Sequence, residues 1–202
     1  MKSTSLVFTT AFVGVAMLLG FTFVRPNSGV EYKASTDKSA IKWVGRKVTG
    51  EHNGTVALKS GSVSVDGTKI SGGKFEIDLS SVTCADLTDQ TYNQKLIEHL
   101  KSDDFFSTAK HPTALLEIVS GTKTTGDKYD IKGRLTIKGI TKDITFPATV
   151  KVTDKNFVAI AKVKIDRTQY DIRYGSASFF EGLGDKAISN DFELDVNIAA
   201  TR

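Results

Sequence analysis

The chain holds few side chains of the kinds that bind metals. Its imidazoles are His52, His99 and His111, which lie far apart in the sequence, and no H-x-x-x-H or H-E-x-x-H pattern joins two of them. Histidine ligands of zinc commonly come from such short spacings. P-loop and dinucleotide-binding patterns are absent too. We therefore predict no metal site and no bound cofactor.

The sequence also lacks the patterns of covalent catalysis. Serines are plentiful, but no G-x-S-x-G elbow surrounds any of them. Cys84 is the single cysteine and has no C-x-x-C partner, so a buried, inert thiol is the expected state. Arg167 is predicted to make a structural ion pair rather than to clamp a ligand. We expect no enzymatic activity.

Two phenylalanine doublets carry more information. Phe105-Phe106 follows an acidic pair, and Phe179-Phe180 lies in the stretch 175–184, which is rich in small residues. Adjacent residues of a strand point to opposite faces, so neither doublet lies wholly in a core unless both faces are covered. Core packing is the simpler interpretation for most phenylalanines. The doublets are alternatively candidates for closing over an apolar ligand, because aromatic side chains commonly line such sites.

Alternation of apolar and polar residues predicts β-strands along most of the chain. The clearest strand is 191–199, where the alternation is strict. Short links such as Asp66-Gly67 favour antiparallel pairing. At least eight such strands indicate a closed barrel or a sandwich, and an eight-stranded barrel can hold one small ligand. Further alternating rows are 41–43, 56–58, 63–65, 75–79, 129–137, 144–152 and 157–165.

One segment departs from this alternation. Residues 86–100 place their leucines near helical spacing, and Asp86 can cap the start. We predict a helix of two to four turns here, inserted between strands.

The N-terminus predicts export. Lys2 precedes an apolar run over 6–24, which Arg25 and a proline end. The run is long enough to be either a cleaved signal peptide or a retained membrane anchor, through which the protein would contact the membrane. Loss of 1–25 lowers the formal charge from +4 to +2. With no long Lys/Arg run, this balance indicates no nucleic-acid partner.

Three motifs in order resemble the YceI-like family of lipid- or polyisoprenoid-binding proteins. They are 110–114 (KHPTA), 133–142 (GRLTIKGITK) and 167–170 (RTQY), which Gly184-Asp185-Lys186 follows before the last alternating strand. Asp171 departs from the family pattern, which usually has glycine there. The resemblance implies a lipocalin-like antiparallel barrel with an isoprenoid chain in a long apolar pore, in a periplasmic or secreted protein.

Together these observations predict an all-β fold, an antiparallel eight-stranded lipocalin-like barrel with one inserted α-helix. We assign 1–25 to a signal peptide or N-terminal anchor, 26–31 to a linker and 32–202 to the barrel domain. The expected function is non-catalytic binding of an isoprenoid or another long-tail lipid. The alternatives are a structural or stress-response envelope protein with a side-chain-filled barrel, and an enzyme acting on lipids. Residues expected to contact the ligand in the pore or at its mouth are Trp43, Phe75, Ile77, Phe105, Phe106, Phe146, Phe179, Phe180 and Phe192.

Overall fold

The alternating rows of the sequence form nine β-strand segments in the computed structural model, which describes residues 29–202. The predicted signal or anchor segment lies outside these described residues. The first strand begins at Val30, inside the range assigned to the linker. Over 29–202, no helix is both long and apolar enough to cross a membrane. The elements are β1 (Val30–Ala34), β2 (Ala40–Lys47), β3 (Gly50–Asp66), β4 (Lys69–Asp78), α1 (Gln90–Lys101), β5 (Thr113–Lys123), β6 (Lys128–Ile137), β7 (Ile140–Val152), β8 (Asn156–Asp166) and β9 (Ile188–Thr201).

The strands close into an antiparallel barrel with eight positions. Each strand from β2 to β8 pairs with the next one along the chain, and β9 returns to pair with β2. β1 pairs with the C-terminal part of β3 and with the last residues of β9, so it continues the position of β2 instead of adding a ninth. Every described strand is therefore paired on both sides, and β3 and β9 each pair with three strands. The predicted fold class is confirmed.

β3 is a single long strand where the alternation predicts two. Its register against β4 shifts between Leu58 and Ser60, which marks a β-bulge. A bulge adds one residue to the strand and so changes which residues face inward. Leu58 and Val63 are both buried, although a strand without a bulge would place residues five positions apart on opposite faces. The interruption in the sequence pattern is therefore a bulge inside one strand.

The lower end of the barrel, where β1 and the turn between β7 and β8 lie, is filled by side chains. The ring centroids of Tyr32 and Phe157 are 6.0 Å apart, and each residue is 3% exposed. The Tyr32 hydroxyl donates to the carbonyl of Thr153 at 2.8 Å. This hydrogen bond fixes the ring across the end of the barrel, so the interior has a floor.

α1 lies at the opposite, upper end and starts later than predicted. The sequence predicts a helix over 86–100 capped by Asp86, whereas the observed cap is Asp89, whose carboxylate accepts two backbone N–H groups of the first turn. The reason is that Asp86 is bound to β3, where it accepts from the N–H of Asn53 at 2.8 Å. No residue of α1 is fully buried, but Leu100 packs on the core. The helix therefore covers the upper end of the barrel.

Candidate functional site

The interior of the barrel holds an apolar cavity. Its volume is about 240 Å³, and all strands from β2 to β9 contribute side chains to its wall. Because alternate residues of a strand face the same side, each strand supplies its apolar row to the interior. Most of the residues predicted to contact a ligand lie on this wall, namely Trp43, Phe75, Ile77, Phe105, Phe106, Phe146 and Phe192.

Side chains leave part of this interior unfilled. Ile77, Phe146 and Leu194 line the cavity, yet they are only partly buried. In a close-packed interior, an inward side chain is covered on all sides by its neighbours. Nearer the floor, Val150 and Phe157 are fully covered, each at 3% exposure. The unfilled space therefore lies above the floor, towards the upper end.

The doublet Phe105-Phe106 covers this upper end from the turn that follows α1. Both residues line the cavity, which two neighbours in a flat strand would not do. The Phe106 ring meets Phe192 of β9 edge-on, with centroids 6.3 Å apart. Phe105 packs against His99, with centroids 4.9 Å apart. This doublet therefore holds α1 and its turn over the cavity.

The doublet Phe179-Phe180 lies elsewhere. The two rings are 46% and 50% exposed, and neither is on the cavity wall. The guanidinium of Arg173 lies 4.8 Å from the centroid of the Phe179 ring on the outside of the loop. Their loop precedes β9 and turns these rings towards solvent, a direction that the sequence pattern does not specify.

Arg167 organises the backbone around the upper end. Arg167 is 4% exposed, and its guanidinium donates to four backbone carbonyls, two in the loop before β9 and two at the start of β9. The predicted ion pair is not observed among the described residues, because carbonyl oxygens take the place of a carboxylate. Burial lowers the pKa of Arg167, but an arginine stays protonated. The acceptors are the carbonyls of Ser189 at 2.8 Å, Ile172 at 2.8 Å, Tyr174 at 2.9 Å and Ile188 at 3.1 Å.

Asp171 keeps the turn after Arg167 although it replaces the glycine of the family pattern. Its φ is 58°, in the left-handed region that glycine favours. Aspartate is among the residues that adopt this region most readily. Its carboxylate accepts from Nε of Arg173 at 2.8 Å. The departure from the family pattern therefore does not disrupt the turn.

Polar groups on the cavity wall gather at the same upper end. Arg46 lies near the end of β2, and Ser189 and Asp191 lie at the start of β9. Arg167 follows the end of β8. The rest of the wall is almost wholly apolar. The cavity is thus apolar along its length, and its few polar groups lie at one end.

The YceI-like domain family matches residues 32–200 of this chain. A UPF0312 protein of Azotobacter vinelandii is 35% identical over 96 residues, which are 47% of this chain and 47% of that protein. Protein YceI of Escherichia coli O157:H7 is 39% identical over 71 residues, which are 35% of this chain and 37% of that protein. In each match the chain spans less than half the length of the relative.

Two solved structures share the barrel fold. BcnA of Burkholderia cenocepacia superposes with a TM-score of 0.65 at 23% identity, covering 83% of this chain and 99% of that one. A polyisoprenoid binding domain from Saccharophagus degradans, implicated in plant cell wall breakdown, gives a TM-score of 0.64 at 18% identity, covering 84% and 97%. At these identities the likeness shows the fold alone. The family match, however, covers most of the chain, which therefore belongs to the YceI-like family.

Proposed function

We propose that this chain is an exported, non-catalytic binding protein that holds the tail of an amphiphilic lipid inside its barrel. An isoprenoid quinone or a polyprenyl lipid fits best. The observation that carries the proposal is the unfilled apolar cavity of about 240 Å³. In another protein, an apolar cavity of about 150 Å³ is enough to bind benzene or xenon. The polyisoprenoid binding domain from Saccharophagus degradans shares the fold and supports this choice of ligand.

The shape of the wall favours an amphiphile with its head group at the upper end. The tail would lie against the apolar rows of the strands, where burial of each CH₂ contributes about 0.8 kcal/mol. The floor made by Tyr32 and Phe157 limits how deep a tail can reach. Arg46 and Ser189 lie on the wall where the head group would remain.

Two other functions fit the wall less well. A purely structural barrel would fill its interior with side chains, yet Phe146 and Leu194 remain partly exposed to the cavity. An enzyme acting on lipids would need catalytic groups on the wall. Among the described residues, the wall carries one carboxylate, Asp191, and no histidine or cysteine. Asp191 is paired with Lys164 at 3.2 Å. A binding role therefore fits the cavity better than either alternative.

We expect the affinity for polyprenols or quinones to rise with tail length and then to level off once the cavity is filled. The initial rise reflects about 0.8 kcal/mol per buried CH₂. Because apolar burial supplies the attraction, moderate salt should change the affinity little. Titration of polyprenols or quinones with tails of increasing length against the protein lacking residues 1–25, at low and at moderate salt, measures both effects. An affinity that is independent of tail length, or that falls strongly in moderate salt, would contradict the proposal.

A substitution at Phe146 tests the place of binding. Phe146→Trp enlarges a side chain that faces unfilled space, so we expect a folded protein with reduced affinity for long tails. Thr145→Trp, on the exposed outer face of β7, is the matched control and should bind as the unmodified protein does. If Phe146→Trp instead destabilises the fold by about 1–3 kcal/mol, as overpacking of a full core does, the structural alternative is favoured.

We also propose that residues 26–202 function outside the cytoplasm, either periplasmic or secreted, with residues 6–24 serving as a signal or an anchor. The order of Lys2 and the apolar run supports this orientation. A reporter that works only after export, fused after residue 40, should be active, and N-terminal sequencing of the mature protein distinguishes cleavage from anchoring. Activity of a cytoplasmic reporter at the same position would contradict export.

A further inference from the structure

Three side chains suited to binding a metal converge near the upper rim of the barrel, apart from the cavity wall. His52 lies near the start of β3, and Cys84 and Asp86 lie in the segment 82–86 before α1. One ligand atom from each lies within 4.8 Å of the other two. Nδ1 of His52 is 2.7 Å from Oδ2 of Asp86, and Sγ of Cys84 is 3.3 Å from Oδ1 of Asp86. The three donors therefore surround one small volume.

The segment that carries Cys84 is fixed to β3 like an additional short strand. The N–H of Thr83 donates to the carbonyl of Thr55 at 2.9 Å, and the N–H of Ala85 donates to that of Asn53 at 2.8 Å. Gly54 permits this approach, since a Cβ there would lie 1.9 Å from the carbonyl oxygen of Thr83. The backbones that present the three donors are thus held rigidly, as a preformed site requires.

The side chains around the three donors are also fixed. Asn93 of α1 donates to the carbonyl of Cys84 at 3.0 Å. Burial raises the pKa of Asp86, but hydrogen bonds from the Asn53 N–H and from His52 lower it more, to about 2. The two oxygens of the Asp86 carboxylate thus face His52 and Cys84, one each.

We propose that His52, Cys84 and Asp86 bind a divalent transition-metal ion, with Zn²⁺ as the best fit. An imidazole nitrogen, a thiolate and a carboxylate are the ligand types of zinc sites. Mg²⁺ and Ca²⁺ prefer oxygen ligands alone, so this donor set selects against them. Three protein ligands leave a position open for water or for another molecule, as in zinc sites that do chemistry.

Binding requires a defined change of protonation. The Cys84 thiol must lose its proton to solvent, because the thiolate is the metal ligand. An imidazole that coordinates through Nδ1 carries its proton on Nε2, so a neutral His52 releases no proton when it binds the metal. One proton is therefore released for each metal ion bound at a pH where His52 is neutral.

The site lies beside the proposed lipid cavity without being part of it. His52 pairs with Gly45 of β2, which is on the cavity wall near the upper end. Neither His52 nor Cys84 is on that wall. Metal binding can therefore be measured independently of lipid binding, and a failure of one does not imply a failure of the other.

Co²⁺ is a suitable probe because it replaces Zn²⁺ and its bond to a thiolate gives a charge-transfer absorption band. Cys84 is the only cysteine of the whole chain, so such a band reports this residue alone. We expect one equivalent of Co²⁺, added to the reduced full-length protein in mild detergent, to produce the band, and Zn²⁺ to remove it. No band at one equivalent would overturn the proposal.

Variants test the other ligands. Cys84→Ser should abolish the band. His52→Ala should weaken Co²⁺ binding by at least about tenfold, because loss of a group that only supports a metal ligand already lowers metal affinity by about 10–100-fold. His99→Ala is the matched control, because His99 also pairs with a carboxylate, that of Asp104 at 3.2 Å, but has no cysteine beside it. This variant should bind Co²⁺ as the unmodified protein does. Circular dichroism checks that each variant folds, and His52→Gln serves if His52→Ala does not. A folded His52 variant that binds Co²⁺ like the unmodified protein would overturn the proposed ligand set.

Discussion

Replacing Arg167 by methionine is expected to lower the free energy of unfolding by about 3–5 kcal/mol, because each buried carbonyl that loses its only donor costs about 1–3 kcal/mol. Methionine has a similar length and no N–H donors. Four backbone carbonyls would then lose their donor, that of Ile172 in a buried place and the other three in partly buried ones. For a domain of this size, such a loss lowers the melting temperature by about 6–20 °C. Denaturant unfolding and thermal melting both measure it.

Two further variants identify the cause of this loss. Arg173→Met is the matched control on the same loop, because Arg173 is exposed and contacts Asp171 and the Phe179 ring. Its removal should cost less than about 1 kcal/mol. Arg167→Lys should fall between the two, since an ammonium keeps the charge but lacks the planar fork of donors. Equal losses for Arg167→Met and Arg173→Met would mean that the four carbonyl bonds do not stabilise the fold.

The strands were predictable because period-two alternation continues along most of the chain. The short antiparallel links left a barrel or a sandwich open, and the resemblance to the YceI-like family favoured the barrel. The alternation failed where a bulge changes the inward face, as it does between Leu58 and Ser60. The predicted start of the helix was wrong for another reason. Asp86 and Asp89 are both suitable caps, and a tertiary contact with Asn53 decides between them. Local sequence does not contain that contact.

The cavity wall was predictable to the extent that its residues lie in strands. Alternation places Phe75, Phe146 and Phe192 on inner faces, and the structure puts all three on the wall. The two doublets lie outside strands, so alternation does not fix their direction. Phe105-Phe106 turns inward and Phe179-Phe180 turns outward. Loop conformation decides this difference, and Arg167 fixes part of that conformation through the carbonyls it binds.

The convergence of His52 with Cys84 and Asp86 had no signal in the sequence. Motif spacings detect ligands that lie on one helix or one turn. Here β3 supplies one ligand and a distant segment supplies two. The close approach depends on Gly54, which leaves room for the backbone of Thr83. In the sequence, a glycine at this place resembles any other turn or strand glycine.

Replacing Leu194 by aspartate is expected to destabilise the barrel by several kcal/mol, because the new carboxyl group would face apolar side chains. Leu194 lies on β9, which pairs with β2 to close the barrel, and it stands opposite Trp43 of β2 and Val163 of β8. All three residues line the cavity. Asn197→Asp is the matched control, since it places the same carboxyl group on the exposed outer face of β9. We expect the control to change the free energy of unfolding by less than about 0.5 kcal/mol.

The pH dependence of the Leu194→Asp variant separates burial of a charge from simple loss of packing. An apolar surrounding disfavours the charged carboxylate and raises its pKa in the folded state above that in the unfolded chain. The folded variant then binds more protons than the unfolded one, so its stability falls as the pH rises from about 4 to 7. Loss of packing alone would lower stability equally at both pH values. Unfolding of the variant, the control and the unmodified protein at pH 4 and pH 7 makes the comparison. A deficit for Leu194→Asp that does not grow with pH would mean that residue 194 does not face an apolar interior.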